Sequence, residues 1–297
     1  MPESRPTHHR AILLIVLAAT LWSTAGLVFR LISEDDRWRI VFWRSGLLAP
    51  FLVALLLVRH GCRAGAVLCA PGWHAPLAGV FLGGAFTFWI LALGGTTVAN
   101  AVFLLCCQPV IAIVLGRLLL GEKLTPATML AIPGVLVGTA IINADALEGG
   151  HLLGNLFAFA TALCFSAYTI TLRTRRDVDM QPAVLFAALF STLVAALVLG
   201  GDVGISPRDF WLCLVLGIGQ VGIGLVLFTA GARHLPAVEL TLLSLIEVVL
   251  APVWVWVFLG EHPGGQALLG GVVMLAAVAA PAALMLRRGP AASPGGA

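Results

Sequence analysis

Apolar residues occupy this chain in ten long runs, and short stretches rich in glycine, proline or charged residues separate them. A helix needs about 20 apolar residues to cross the hydrocarbon core of a bilayer, and each run is close to that length. The pattern therefore predicts an all-α membrane protein with ten transmembrane helices, at 11–31, 38–58, 75–94, 97–119, 126–143, 152–172, 183–200, 209–230, 237–259 and 265–286.

The composition agrees with a membrane protein. Hydrophobic residues make up 60% of the 297 residues and charged residues only 10%, whereas about a quarter of a soluble domain is charged. No basic tract suits nucleic acid, and the six cysteines lack metal-ligand spacing, so we predict no nucleic-acid partner, no metal and no other cofactor. Arg5 and Arg10 precede the first apolar run, which we interpret as a retained signal-anchor helix.

The charges outside the apolar runs predict the orientation. An even number of spans places both termini on the same side of the membrane. Twelve of the seventeen Lys and Arg residues fall on that side, and acidic residues dominate the opposite loops. Because cytoplasmic loops carry the excess of positive charge, both termini are predicted to be cytoplasmic.

Two stretches of the chain resemble each other at an offset of 139 residues. They read VANAVFLLCCQPVIAIVLGRLLLGE at 98–122 and AVELTLLSLIEVVLAPVWVWVFLGE at 237–261. The alignment places Gln108 on Glu247. Both stretches therefore look like copies of one element with polar groups at membrane depth.

A second match extends this repeat. At an offset of 143 residues, Ser23 falls on Ser166. The chain thus divides into two five-helix halves, 1–148 and 149–297, and because five is odd the halves lie in opposite orientations. Inverted repeats of this kind form secondary transporters, whose site lies near the membrane midplane at the repeat interface. We predict one integrated transmembrane domain around a central cavity.

Glu247 is the strongest candidate for a functional residue, because a carboxylate inside an apolar span is costly and usually faces a protein interior or a water-filled cavity. Either it binds a substrate ammonium or carries a coupling proton, or it pairs with a buried polar group and only fixes helix packing. Ser244 lies one turn earlier on the same face. Its hydroxyl either lines the cavity or bonds to its own helix.

Three side-chain amides also lie at membrane depth. Gln108 and Asn100 are eight residues apart and share a broad face of one span. Amides can bind both carboxylate and ammonium groups, and the alternative is hydrogen bonding between helices. Gln220 lies in the glycine-rich GIGQVGIG at 217–224, which favours packing over a role in the cavity.

Four aromatic residues, Trp22, Phe86, Trp89 and Tyr168, lie deeper than the rest. Their rings suit a planar apolar side chain or an organic cation, and core or lipid-facing packing is the alternative. Tyr168 is the only tyrosine, and its hydroxyl needs a partner. The tryptophans near span ends are expected to mark the membrane interface: Trp38, Trp43, Trp73, Trp211, Trp254 and Trp256.

Charged residues near span ends complete the candidates. We expect Arg30 and Arg173 to snorkel toward opposite faces. Arg44 either snorkels outward or binds a substrate carboxylate. Glu122 and Glu261 each follow a span, where a carboxylate interacts unfavourably with its own helix C-terminus, so we predict a compensating structural contact or a gating pair.

The ten-span, five-plus-five pattern resembles the drug/metabolite transporter superfamily, in the ten-span family often called EamA-like. The similarity covers nearly the whole chain. The residues that carry it are LWST at 21–24, Phe42-Trp43-Arg44, the LGEKLT run at 120–125, Pro109 thirteen residues before Glu122, and LGE at 259–261.

The resemblance implies an exporter of amino acids or related small metabolites in the bacterial inner membrane, and the nearest likeness is to aromatic amino-acid exporters. Hydrophobic cationic drugs are the alternative substrates, since a glutamate facing aromatic rings suits them too. The chain has no P-loop run and no HExxH or GxSxG motif, which argues against an enzyme, and its spans lack the continuous polar stripe of a channel. We predict a monomer that works by alternating access, with proton coupling and facilitated diffusion both open.

Overall fold

The computed structural model of the protein describes residues 5–121, 126–149, 151–175, 178, 180–232, 234–235 and 237–288. Within these residues the fold is all-helical and contains no β-strand. The helices are α1 (Arg5–Ser23), α2 (Ala25–Leu31), α3 (Arg37–His60), a 3₁₀ turn (Gly61–Arg63), α4 (Ala64–Cys69), α5 (His74–Gly95), α6 (Val98–Leu104), α7 (Cys107–Leu120), α8 (Pro126–Gly149), α9 (Leu152–Thr174), α10 (Pro182–Leu199), α11 (Pro207–Leu214), a π-helix (Val215–Gly222), α12 (Ile223–Ala232), α13 (Ala237–Leu259) and α14 (Gly265–Arg288).

The helices coincide with the predicted apolar runs to within a few residues at most ends. Lipid offers no hydrogen-bond partners, so an apolar run satisfies its backbone internally as a helix. Seven helical stretches are long and apolar enough to cross a membrane: His8–Leu31, Arg37–Cys69, His74–Gly95, Val98–Leu120, Leu152–Thr174, Pro182–Leu199 and Pro207–Ala232. Three further apolar helices are shorter: Ile132–Asn143, Leu243–Leu259 and Gly265–Ala280.

The first predicted span is broken between α1 and α2. The hydroxyl of Ser23 donates to the carbonyl of Thr20 (2.7 Å), and the hydroxyl of Thr24 donates to the carbonyl of Leu21 (2.6 Å). Hydroxyls that bond back to the preceding turn compete with the helical ladder and often bend helices. The break separates α2 from the rest of its span.

A second break separates α6 from α7. Pro109 supplies no N–H to the helix, and here the chain tightens so that the Gln108 N–H reaches the Leu105 carbonyl (2.9 Å). Gly26 on α2 packs directly against Val98 on α6, because a side chain at position 26 would overlap the valine. The two short half-helices therefore meet closely at this point.

The π-helix interrupts a third span. A Cβ atom at Gly217 would collide with the carbonyl oxygen of Arg44 on α3, and one at Gly224 would collide with the indole of Trp22 on α1. These glycines let both neighbouring helices approach closely. Single-turn π-helical segments inside α-helices occur frequently at functional sites.

Helices of the first half of the chain pack mainly against helices of the second half. The most extensive contacts are α5 with α9 and α10, α8 with α14, α3 with α10, and α1 with α12 and α13. Gly79 and Gly83 bring α5 close to α10, since a Cβ at either would collide with Phe186 or Ala187. The two halves thus form one packed bundle.

Candidate functional site

Arg30 ties together four helix ends at one end of the bundle. Its Nε donates to the Glu261 carboxylate (2.7 Å), and its two Nη atoms donate to the carbonyls of Leu93 (2.7 Å) and Thr96 (2.8 Å). Glu261 also accepts the N–H of Val98 at the start of α6 (2.8 Å). This Arg30 network joins the ends of α2, α5 and α13 to the start of α6, and so closes this end.

The prediction that Arg30 snorkels is wrong, because its guanidinium turns inward to the carboxylate and two carbonyl groups. Glu261 makes the predicted compensating contact, with a cation and with the N-terminus of α6, where a negative charge is favourable. Glu122, the corresponding residue of the first half, lies outside the described residues.

Glu247 lies on the face of α13 that points into the bundle. Ala251 and Val255, one and two turns later, are only 2% exposed, whereas Val249 and Val257 are 52% and 65% exposed. Glu247 is itself half-buried, and within the described residues its carboxylate makes no hydrogen bond or ion pair. A dry, unpaired carboxylate would be very costly, so the geometry favours contact with water inside the bundle.

Gln108, which the repeat aligns with Glu247, has similar surroundings. It is half-buried in the first turn of α7, and its side-chain amide makes no hydrogen bond to another described residue. Its backbone carbonyl accepts the hydroxyl of Ser166 on α9 (3.0 Å). Both aligned positions therefore offer an unpaired polar group to the interior of the bundle.

Asn100 is instead part of a chain of side chains between helices. Its amide donates to the Thr96 hydroxyl (3.3 Å), which donates to the Asn155 carbonyl oxygen (2.7 Å). The Asn155 amide donates in turn to Asn143 (3.2 Å). This geometry agrees with the alternative interpretation of Asn100 as a residue that holds helices together.

Gln220 and Ser244 also have partners. The Gln220 amide donates to the backbone carbonyl of Trp22 (2.7 Å), in the last turn of α1 before the break. The Ser244 hydroxyl donates to the Leu240 carbonyl of its own helix (2.8 Å). Neither side chain needs a ligand to satisfy its hydrogen-bonding groups.

A cavity of about 430 Å³ lies between α3, α9, α10 and α12. The cavity lies near the start of α10 and near the end of α3 that carries Arg59. The Arg30 network lies at the other end of the bundle, close to where α3 begins. The residues that line it are mostly apolar: Leu52, Leu55, Leu56, Arg59, Tyr168, Leu172, Met180, Gln181, Pro182, Val184, Leu185, Leu225, Val226, Phe228, Thr229 and Ala232.

Three of the four predicted aromatic residues lie at or beside this cavity. Tyr168 lines it, and the ring of Trp22 lies 5.3 Å from that of Phe228, another lining residue. Phe86 packs against the hydrophobic cluster that includes Tyr168. Trp89 packs against a different core cluster, so the structure does not bring it to the cavity.

Arg44 does not snorkel outward. Its side chain is buried, with the residue only 4% exposed. One Nη donates a long hydrogen bond to the Phe86 carbonyl (3.4 Å), and the guanidinium lies 5.1 Å from the centre of the Phe86 ring. Its Nε is buried without a hydrogen-bond partner. The expectation of a snorkelling Arg44 is therefore wrong.

Sequence reasoning missed two structural contacts. Trp254 is not an interface residue, because its indole donates to the Ser23 hydroxyl beside the α1–α2 break (2.8 Å). Trp254 lies seven residues after Glu247 and on the same helical face, and this spacing could have indicated that its side chain points into the bundle. Arg30 and Glu261 could have been paired because they have opposite charge and fall on the same predicted side.

Comparisons with known proteins place these features in context. The sequence profile of the EamA-like transporter family matches the chain twice, at 9–144 and 152–280. The aromatic amino acid exporter YddG of Ancylobacter novellus is 27% identical over 294 residues, which cover 91% of this chain and 96% of that protein. Protein RarD of Escherichia coli K12 is 26% identical over 272 residues, which cover 86% and 88%.

A solved crystal structure shares the fold. It matches with a TM-score of 0.67 and 24% sequence identity, over 95% of this chain and 99% of that chain. The match to the EamA-like family profile and the similarity to YddG and RarD confirm the resemblance to the drug/metabolite transporters that the sequence motifs indicated.

Proposed function

The chain belongs to the EamA-like transporter family, and from that premise we propose that it is a secondary transporter that works by alternating access. It exports amino acids, aromatic or other neutral ones, or related small metabolites across the bacterial inner membrane. It acts as a transporter and not as an enzyme, and it functions as a monomer.

The observation that carries this proposal is the difference between the two ends of the bundle. The Arg30 network joins four helix ends on one side, whereas the cavity lies toward the other side. Its volume is within the range of about 300–1,000 Å³ typical of small-molecule sites. A network that joins the helix ends on one side and a cavity toward the other side are what a single state of an alternating-access cycle requires. A second cavity, of about 540 Å³, is lined by Leu104, Asn143, Leu156 and Phe159, and the exposure of Leu156 and Phe159 places it at the outer surface of the bundle.

The proposed inverted repeat agrees with the same mechanism. The family profile matches each half once. When each helix is replaced by its counterpart in the other half, contacts between helices of the two halves map onto other contacts that the structure contains. The pair α5–α9 corresponds to α12–α1, and the pair α7–α9 corresponds to α13–α1. In the proposed topology both termini are cytoplasmic, so the cavity faces the cytoplasm and the Arg30 network closes the opposite face.

Two groups suit an amino acid or a similar polar solute. Within the part of the chain that the structure describes, Glu247 offers a carboxylate and Gln108 a side-chain amide that make no hydrogen bond to another residue. Tyr168 and the neighbouring rings of Trp22 and Phe228, which are tilted by 36° to each other, suit a planar side chain. In this proposal Glu247 binds the ammonium group or carries a coupling proton.

The experiment that tests the proposal is uptake of labelled phenylalanine, threonine and a cationic dye into proteoliposomes, with and without a pH gradient. We compare the wild type with Glu247→Gln. Ser244→Ala, one turn away on the same face, is the matched control, because its hydroxyl is satisfied by its own helix. Transport should require Glu247 and be nearly unchanged in the control.

The outcomes separate the roles of Glu247. Transport that survives in Glu247→Gln but loses its pH response would identify a proton carrier. Transport abolished under all conditions, in a folded variant, would identify a substrate ligand or gate. Unchanged transport would reduce Glu247 to a packing residue.

The alternative function is export of hydrophobic cationic drugs. The observation that favours it is the carboxylate of Glu247, which has no cationic partner among the described side chains. A wild-type protein that moves the dye and ignores both amino acids would replace the proposed substrate with this one.

A further inference from the structure

Arg44 is a buried charge with few hydrogen-bond partners among the described residues. The residue is only 4% exposed, and a guanidinium at membrane depth is expensive unless it is paired. It has five N–H groups to donate. Its hydrogen bonding is limited to one contact, the long one to the Phe86 carbonyl, and its Nε has none.

No carboxylate among the described residues pairs with Arg44. The ring of Phe86 lies on one side, with its centre 5.1 Å from the guanidinium. Arg39, five residues earlier on the same helix, pairs with both Glu34 and Asp202. A structural arginine in this helix can therefore obtain acidic partners, and Arg44 does not.

Phe86 connects Arg44 to the wall of the cavity. It packs against a buried cluster that includes Leu52 and Leu185, and both of these residues line the cavity. Arg44 does not line the cavity itself, but it lies on α3 about two turns before Leu52 and contacts the Phe86 ring. A movement of the Phe86 side chain would therefore open a path from the cavity toward the guanidinium.

We propose that Arg44 binds the carboxylate of the transported solute, with Phe86 as the cover that moves aside when the solute enters. This inference rests on the proposed function and names the group that selects for acids. An arginine fork matches a carboxylate in geometry and pairs with it through two parallel hydrogen bonds. The cation–π contact with Phe86 holds the guanidinium in place while the site is empty.

Transport of matched solutes in proteoliposomes tests this assignment. The pair is phenylalanine and phenylalaninamide, which share the ring and the ammonium group but differ in the carboxylate. In Arg44→Gln, phenylalanine transport should fall roughly ten- to a hundredfold, the size expected for the loss of hydrogen bonds to a charged group, while phenylalaninamide transport stays near the wild-type level. Arg44→Lys should lie between. Arg39→Gln is the control and should affect both solutes equally little.

A measurement on the unmodified protein guards against a variant that does not fold. Phenylalanine should raise the thermal unfolding midpoint of the wild type more than phenylalaninamide does, because a ligand stabilises according to its affinity. Equal stabilisation by both would overturn the assignment, as would an equal loss of both transport activities in folded Arg44→Gln. A wild type that binds and moves neither solute would instead overturn the proposed function, and this inference with it.

Discussion

Disruption of the Arg30–Glu261 pair should open the closed end of the bundle. The relevant contacts are three hydrogen bonds of 2.7–2.8 Å from Arg30 and one of 2.8 Å from Val98 to Glu261. They join the ends of α2, α5 and α13 to the start of α6, so a state that opens this end must separate at least some of them. Substitution of either charged residue removes stabilisation that only the closed state has.

The exposure of the pair decides the magnitude. The side chains of Arg30 and Glu261 are 26% and 22% exposed, so the pair is partly buried. An exposed ion pair contributes up to about 1 kcal/mol, and a buried hydrogen bond to a charged group contributes about 1.5–3 kcal/mol. We expect about 1–2 kcal/mol for the pair. Since about 1.4 kcal/mol is a tenfold change in an equilibrium constant, the open state should gain roughly five- to thirtyfold in population.

The assay is labelling of one introduced cysteine by a membrane-impermeant maleimide, in a background in which the six native cysteines are replaced by alanine, because the exposed Cys62 and Cys69 would also be labelled. Ala99→Cys places the introduced cysteine in α6, where the residue is 2% exposed in the closed state. Labelling rates are compared in Arg30→Gln, Glu261→Gln and the double variant, with Arg39→Gln, which breaks an exposed pair on a neighbouring helix, as the control. Both single variants should label faster, and the double variant only slightly faster than either. Unchanged rates, or single effects that simply add, would refute the idea that this pair holds the end closed.

Three further substitutions test individual contacts. Tyr168→Ala should weaken phenylalanine transport several-fold by removing a ring from the cavity wall, whereas Tyr168→Phe should have little effect in the same uptake assay; equal losses would point to the hydroxyl instead. Gln220→Leu should lower the free energy of unfolding by about 1–2 kcal/mol because the Trp22 carbonyl loses its partner, and an unchanged thermal transition in detergent would contradict this. Gly83→Leu forces a side chain against α10 and should cost about 1–3 kcal/mol, seen as less monodisperse protein by size exclusion, whereas Gly65→Leu, at a position with open space, should behave like the wild type.

The candidate site could be predicted in part. Sequence reasoning identified Glu247 and Gln108 as polar groups at membrane depth, and both lack a partner among the described residues. It could not separate them from Asn100 and Gln220, which are paired. The partner of Gln220 is 198 residues away in the chain, so no local pattern reveals it.

The breaks within the helices also could not be predicted from the hydrophobic pattern. The apolar run at 97–119 continues across the break at Leu105 and Cys106, because a broken helix and a straight one need the same apolar composition to lie in lipid. Pro109 marks the neighbourhood of that break but not its geometry, since Pro252 lies inside the unbroken α13.

The sequence by itself determined the helices and the family. A bilayer admits only segments that satisfy their own backbone hydrogen bonds, so apolar length and the polar stretches between runs suffice to locate them. The tertiary structure alone decided which charges are neutralised. Arg30 pairs with Glu261, 231 residues away in the chain, whereas Arg44 has no carboxylate partner among the described residues. The difference arises because, inside a membrane, a charge must obtain its partner from another helix or from a ligand, and only the packing of the bundle determines which helices meet.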